Sequence, residues 1–289
     1  MTHELIIGLP EAGKTTFLAA LWHVVTSDEV PGSLKLLQLD GDRTYLNLIR
    51  KAWLKFEEIG RTVAQSEETV SMKLCQSDGA EPIDLVFPDM KGESFRQQWV
   101  NREWTKEYDE LVREAQGILL FVHSLTSMGA ERIDAALGEA VAALADEEDK
   151  AEEMKSIDED GKLPEWNPLM APPQVQLVEL LQFIDYQRID ENVIPIAVVI
   201  SAWDIVIANY DSPQQWLSER LPLLDQYLRT NGERFPLRVY GVSAQGAPLD
   251  GDLTRLQEQT RQSDRIIVVN ENGSTHDITS PIKWLMQIA

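Results

Sequence analysis

Short apolar blocks alternate with stretches of helical spacing along this chain, and that alternation predicts strands and helices in turn. Leu5-Ile6-Ile7, Leu34–Leu39, Thr69–Cys75, Ile83–Phe87, Gly117–Val122, Ile194–Ser201 and Leu237–Val242 read as strands. Thr16–Trp22, Arg43–Ile59, Gln174–Gln187, Gln214–Arg229 and Ile282–Ile288 read as helices; in the second, Leu46, Ile49, Trp53 and Phe56 recur at helical spacing. Arg265–Val269 leads into an Asn272-Gly273 turn, and residues 265 to 278 predict an antiparallel edge hairpin. Strands that alternate with helices predict an α/β fold, here a three-layer arrangement with a mainly parallel sheet, helices on both faces and ligand loops at the carboxyl ends of the strands.

The first such loop carries chemistry. Gly8-Leu9-Pro10-Glu11-Ala12-Gly13-Lys14-Thr15 fits G-x-x-x-x-G-K-[ST] and lies between a predicted strand and a predicted helix, the setting a P-loop requires. Backbone N–H groups of residues 8 to 16 (Gly8, Pro10, Glu11, Ala12, Gly13, Lys14, Thr15 and Thr16, proline's excepted) would wrap the β-phosphate at a helix N-terminus. Lys14 would reach the β- and γ-phosphates, and the Thr15 hydroxyl would ligate Mg²⁺. A second strand ends in Asp89-Met90-Lys91-Gly92-Glu93, a D-x-x-G run. Asp89 there can hold the Mg²⁺ shell, and the Gly92 N–H can meet a γ-phosphate while the following loop stays free to move.

Two later strand ends select the base. Val198–Ile200 leads into Ser201-Ala202-Trp203-Asp204, and Val239–Val242 into Ser243-Ala244-Gln245-Gly246. In this order the motifs resemble those of the translation-factor/Ras clade of P-loop GTPases. That resemblance gives Asp204 the guanine N1 and N2 hydrogens and Ala244 an N–H for O6, with Ser201, Ser243 and Gln245 beside them. The clade's usual Asn-Lys-x-Asp appears here with Ser201 at the first place and Ala202 at the lysine's, which removes the aliphatic stem that covers one face of the base. Trp203 has two readings, a cover for that face or a packing residue. A carboxylate aimed at the base edge favours guanine, with its paired donors, over adenine.

The same resemblance extends to the loops that sense the γ-phosphate. Glu68-Thr69-Val70 matches a tripeptide of ADP-ribosylation-factor GTPases, and its spacing makes Thr62 the threonine that closes on Mg²⁺ and the γ-phosphate. Arg61 beside it reads as a solvated arginine rather than an arginine finger. Glu93 stands where Ras-like enzymes carry a water-orienting glutamine. A carboxylate cannot donate to the γ-phosphate and adds charge beside a charged transition state, so hydrolysis is expected to be slow; the other reading has Glu93 facing solvent or capping a helix over Ser94–Arg102. Lys14, Thr62, Gly92 and Glu93 are thus the candidate catalytic residues, and Thr15, Thr62 and Asp89 the metal ligands. More narrowly, Gly8-Leu9-Pro10 with Gly13–Leu18, Asp89-x-x-Gly92-Glu93-x-Phe95 and Ala202-Trp203-Asp204 resemble the bacterial double-GTPase family. That resemblance implies a role beside a second GTPase in conflict or phage-defence systems.

Composition narrows the setting. With 289 residues, 43% of them hydrophobic, the chain can bury a full core and predicts one G domain over 1–289 with insertions at about 28–60 and 124–191. A net charge of −22 argues against direct contact with nucleic acid or anionic membrane, both of which would repel it. The single cysteine, Cys75, excludes an internal disulfide and suits a reducing cytosol. His3, His23, His123 and His276 show no ligand spacing, so Mg²⁺ with GTP or GDP is the cofactor set expected. No apolar run is long enough to span a membrane, no signal peptide is read at the N-terminus, and a cytoplasmic location is expected.

The first insertion reads as an extra packed layer or as a lever that reports the state of the Thr62 loop. The second holds an alanine-rich helix around Ile133–Ala145, the acidic run Asp146–Asp160 and a proline- and tryptophan-containing loop before the helix at Gln174. The reading reached is a Mg²⁺-dependent GTP-binding switch that hydrolyses slowly and works with a partner protein, a second GTPase or an effector. A nucleotide-binding interaction module without turnover is the first alternative. A P-loop ATPase or small-molecule kinase is the second, against which stand the Ser243-Ala244 turn and the lack of an arginine-rich lid.

Overall fold

On the central strands, successive apolar residues go to opposite faces, and each face has its own helices to meet them. Leu5 and Ile7 belong to one core and Ile6 to the other; Ile118, Leu120 and Val122 alternate in the same way with Leu119 and Phe121. The computed structural model describes residues 2–57, 59, 69–76, 81–88, 99–126, 168, 171–188, 193–247 and 260–288. Among these, the strands are β1 (Thr2–Gly8), β2 (Lys35–Asp40), β3 (Val70–Cys75), β4 (Ile83–Phe87), β5 (Gly117–His123), β6 (Ile196–Ser201), β7 (Leu237–Ser243), β8 (Ile267–Asn270) and β9 (Gly273–Thr275). They form one sheet in the order β2-β3-β4-β1-β5-β6-β7-β8-β9. The contiguous strands β4, β1, β5, β6 and β7 run parallel, and antiparallel pairs extend the sheet at both edges.

One face carries α1 (Lys14–Ser27), α2 (Arg43–Leu54) and a C-terminal helix, and the other carries α3 (Lys106–Glu114), α4 (Pro173–Gln187), α5 (Pro213–Arg220) and α6 (Pro222–Thr230). The C-terminal helix is α7 (Ser280–Ile288). Helix α1 is buried continuously from Phe17 to Val25 because it lies between the sheet and α2, and Phe17 meets Phe121 edge-on at 5.0 Å. The three-layer α/β expectation therefore holds. Residues of the first insertion add an edge strand, β2, and a covering helix, α2, to that plan.

Local differences from the sequence reading have local causes. The helix expected over 214–229 is two helices, because Pro222 has no N–H to continue the first and Leu221 before it is held at φ −132°, ψ 59°. Helix α2 stops at Leu54 rather than near residue 59. Its end is a Schellman closure, with Phe56 N–H bonding Trp53 O at 3.2 Å and Glu57 N–H bonding Ala52 O at 3.0 Å around a left-handed Phe56 (φ 59°). The final hairpin begins at Ile267, since residues 262–265 form a 3₁₀ turn, and Asn270 pairs with Gly273 across its end. The expected helix at 133–145, the acidic run and residues 89–98 lie outside the described residues.

One core group is out of keeping with its surroundings. Glu4 on β1 is fully buried opposite Gly117, whose missing side chain leaves room for the carboxyl group; Leu285 lies against the same space. Neither carboxyl oxygen has a hydrogen-bond partner, and burial pushes the group up to about 7. Folded Glu4 thus keeps a proton that the unfolded chain releases near 4.5, so stability falls as pH rises between those values and is flat above the upper one. Glu4→Gln is expected to remove that slope. In urea unfolding at pH 5 and pH 8, the wild type should lose about 2.5 kcal/mol more than the variant between the two conditions. Parallel pH profiles would mean that the carboxyl group is ionised in the fold.

Candidate nucleotide site

The parallel register brings the sequence-predicted loops together at the carboxyl ends of the central strands. Gly8 at the end of β1 pairs with Phe121, His123 at the end of β5 pairs with Ser201, and Ser201 at the end of β6 pairs with Val242. Residues 9–13 turn from β1 into α1, with Glu11 (φ 64°) and Gly13 (φ 85°) both in the left-handed region. Gly13 is needed there twice over. Its φ is strained for a side chain, and a Cβ on it would stand 2.6 Å from Ser201 Oγ. Ser201 is 7% exposed and its hydroxyl has no hydrogen-bond partner, so the residue in the usual asparagine's place lies directly against the P-loop backbone.

Lys14 folds back over the loop, donating from Nζ to Gly8 O and Leu9 O at 2.8 Å each. Burial pulls its ammonium down to about 8. A charge held only by two carbonyls in a desolvated loop is poised to exchange them for anionic oxygens. Thr15 and Thr16 follow in the first turn of α1, half-buried, and Pro10, Glu11 and Ala12 border a cavity of about 330 Å³ that continues past His123 and Leu125 to Leu177 on α4. Thr15 offers a hydroxyl, an oxygen of the hard type that Mg²⁺ accepts, and Lys14 beside it offers a cationic head of the kind that meets phosphate. Among the described residues no cluster of three or more His, Cys, Asp or Glu could hold another metal. Thr62, Asp89, Gly92 and Glu93 lie outside the described residues.

The residues expected to read the base are tied to one another. Ser243 Oγ donates to Asp204 Oδ1 and accepts from Gly246 N–H at 3.0 Å, so one hydroxyl joins the carboxylate after β6 to the turn after β7. Ala244 is 7% exposed, its carbonyl accepting from Trp53 Nε1 at 2.8 Å, and Gln245 Nε2 donates to Trp53 O at 3.3 Å. Ala202, at the lysine's usual place, is left-handed at φ 51°, and its carbonyl accepts from Ser124 Oγ at 2.8 Å.

Of the two readings of Trp203, the packing one fits. The indole is 1% exposed, within the core of the α3–α6 face, and a Cβ on Gly241 would stand 2.3 Å from its ring. It is therefore not available as a cover for the base.

His123 was not anticipated at this site. It stands at the end of β5, where burial lowers its basicity and the Asp204 and Glu11 carboxylates act in the opposite sense. Its Nδ1 accepts from Leu125 N–H at 3.1 Å, which leaves the ring's proton on Nε2 when neutral. The sequence carried a signal in hindsight, since a polar residue closes an otherwise unbroken apolar strand.

The family model of Double-GTPase 1 matches residues 5–285. The chain belongs to that family. Membership in Double-GTPase 1 bears out the narrower of the two resemblances, and the mainly parallel α/β sheet is consistent with a P-loop G domain. The chain is also similar to the Saccharomyces cerevisiae Ski7 GTPase-like domain bound to GTP, at 11% identity and a TM-score of 0.38. That match covers 85% of this chain and 43% of the other, so this chain spans less than half the length of the structure it matches. The signal recognition particle receptor SRb-GTP/SRX complex from Chaetomium thermophilum matches at 13% identity and a TM-score of 0.33, over 89% of this chain and 96% of that one. No curated protein matches the sequence. No helix among the described residues is long and apolar enough to cross a membrane.

Gly241→Ala tests the place of Trp203. The new methyl group must displace the ring, so the melting temperature should fall with a loss of about 1–3 kcal/mol. An unchanged melt would show that the indole can move aside, and with it that it could serve the base.

Proposed function

We propose that this Double-GTPase 1 protein is a Mg²⁺-dependent molecular switch that binds GTP, hydrolyses it slowly and signals its state to a partner protein, a second GTPase or effector, in a bacterial conflict or antiphage system. The observation that carries the nucleotide reading is the meeting, at the carboxyl ends of the central strands, of the Lys14 loop with the Asp204–Ser243 pair. The whole chain is read as one G domain with insertions at about 28–60 and 124–191, acting in the cytoplasm.

In this reading Lys14 leaves the carbonyls of Gly8 and Leu9 for the β- and γ-phosphates, while the loop's N–H groups stabilise charge that develops on the transferred group. Thr15, Thr62 and Asp89 would hold Mg²⁺, which when bound neutralises charge on the β- and γ-oxygens. Thr62 and Gly92 clamp the γ-phosphate, so their loops are ordered only with triphosphate present. Glu93, which cannot donate to the γ-phosphate, leaves hydrolysis slow until a partner supplies what is missing. Asp204 accepts from guanine N1–H and N2–H₂, and Ala244 N–H donates to O6. Ser201 completes the seat of the loop rather than reading the base.

Two measurements test this. Asp204→Asn should weaken GTP binding by one to two orders of magnitude, a loss on the order of 2–3 kcal/mol for hydrogen bonds to a charged group, and shift preference toward xanthosine triphosphate. Unchanged GTP affinity in calorimetry would remove Asp204 from the site. Lys14→Ala should abolish triphosphate binding and, at equal protein loading, phosphate release, with the fold intact. Phosphate release by the wild type that survives this substitution would belong to a contaminant, and binding without any release by the wild type would favour the non-hydrolysing module.

A further inference from the structure

Helix α2 ends against the turn that reads the base, and the contact is reciprocal. Trp53, fully buried, donates its indole N–H to Ala244 O at 2.8 Å. Its own carbonyl accepts from Gln245 Nε2 at 3.3 Å and from an Arg265 guanidinium N–H at 2.6 Å. That guanidinium lies 3.7 Å over the Trp53 ring and 4.1 Å over the Phe56 ring, and burial lowers it to about 10, so it stays charged at neutral pH. His23 on α1 packs against the same indole with ring centroids 5.1 Å apart. Cation–ring contact and hydrogen bonds that have no water to compete with them fix the indole in one place.

A buried carbonyl held by a fixed donor restricts rotation at its own residue. The Ala244 carbonyl and N–H flank the same Cα, so anchoring the first aims the second. The other side of the turn is held by Ser243, through Asp204 and Gly246 N–H. Bond directions for O6 are therefore set partly from outside the loop, by a helix that precedes β3.

We infer that Trp53 is a positioning residue for guanine recognition: its indole N–H holds the Ala244 turn in the geometry that reads O6, so the 28–60 insertion carries part of the protein's base specificity. The inference rests on the guanine-reading roles of Asp204 and Ala244. It also gives the insertion a purpose beyond covering α1. The left-handed Phe56 under Arg265 closes α2 three residues before Ile59, so the anchor of the base turn and the entry to the Thr62 segment are one piece of backbone.

The test uses full-length protein and two probes, GTP and 2-aminopurine riboside triphosphate, which lacks O6 and with it the N1 hydrogen but keeps the 2-amino group and the phosphates. Trp53→Phe keeps an aromatic ring and removes the N–H. It is expected to weaken GTP binding about tenfold, the scale of one buried hydrogen bond, and to leave the 2-aminopurine nucleotide within about twofold. Equal losses for both probes, or no loss for either, would overturn the positioning role, since a merely structural residue does not distinguish a base with O6 from one without. Should the wild type bind the two probes alike, the guanine reading itself fails, and Trp53 with it. If Trp53→Phe does not fold by thermal melting, Gln245→Ala removes the second tie between the same partners at a half-exposed position. A lower GTP preference in that variant supports the inference, and an unchanged one overturns it.

Discussion

Burial of the central strands on both faces is the constraint on which the rest depends. Residues 118–122 and 196–200 are apolar without interruption, and every one of them is covered, so no polar chemistry can sit along those strands. Side chains that must meet a charged ligand are confined to the places where strands stop. Because β1, β5, β6 and β7 are parallel and in register, their stops coincide, and Gly8, His123, Ser201 and Ser243 come to one end of the strands from positions far apart in the chain. A site assembled in this way needs no contact within any single motif to be strong. It needs the registers to hold.

The departure from Asn-Lys-x-Asp shows how much of that site is backbone. Where the clade has a long lysine, this chain has Ala202 in a left-handed turn, a conformation that costs a non-glycine residue about 1 kcal/mol. The turn is retained because its neighbours over-determine it: Ser124 Oγ holds the Ala202 carbonyl, Ser201 is wedged against Gly13, and Trp203 is locked beneath Gly241. Small residues at 201 and 202 let β6 approach the P-loop closely, and a large residue at 203 fills the space below. With a small residue at 202 and core packing at 203, Asp204, steadied by Ser243, is the polar side chain left at that strand end for the proposed contact with a base.

What was legible in the sequence was what short-range patterning decides. The P-loop, the seven principal strands and the polar exits of β6 and β7 all follow from apolar runs and from glycine, serine and aspartate at their ends, because those signals concern residues within a few positions of one another. The break at Pro222 was equally legible in principle, since proline's missing N–H acts locally, but the apolar spacing across it concealed two helices as one. Trp53 was not legible. Helical spacing identified it as a core residue, which it is, yet nothing near it in the chain records that its N–H meets a carbonyl at residue 244 or that Arg265 stacks on it. Trp203 was undecided for the same reason, because the glycine that makes room for it lies on the next strand.

The first insertion was read as either a packed layer or a lever, and the contacts of α2 make these compatible. A lever must be rigid where it touches the site and joined to something that moves. Rigidity here comes from the enclosed Trp53–Arg265–Ala244 cluster, whose hydrogen bonds are shielded from water. The join comes from the Schellman closure at Phe56, which ends the helix and hands the chain directly to the segment leading to Thr62. A ligand shifts an equilibrium only through contacts that differ between states. On the proposed reading, in which residues 244–245 meet the base, α2 is already bound to that turn through Trp53. Linkage then runs both ways, so a protein that grips the exposed side of α2 would act on nucleotide affinity without touching the nucleotide.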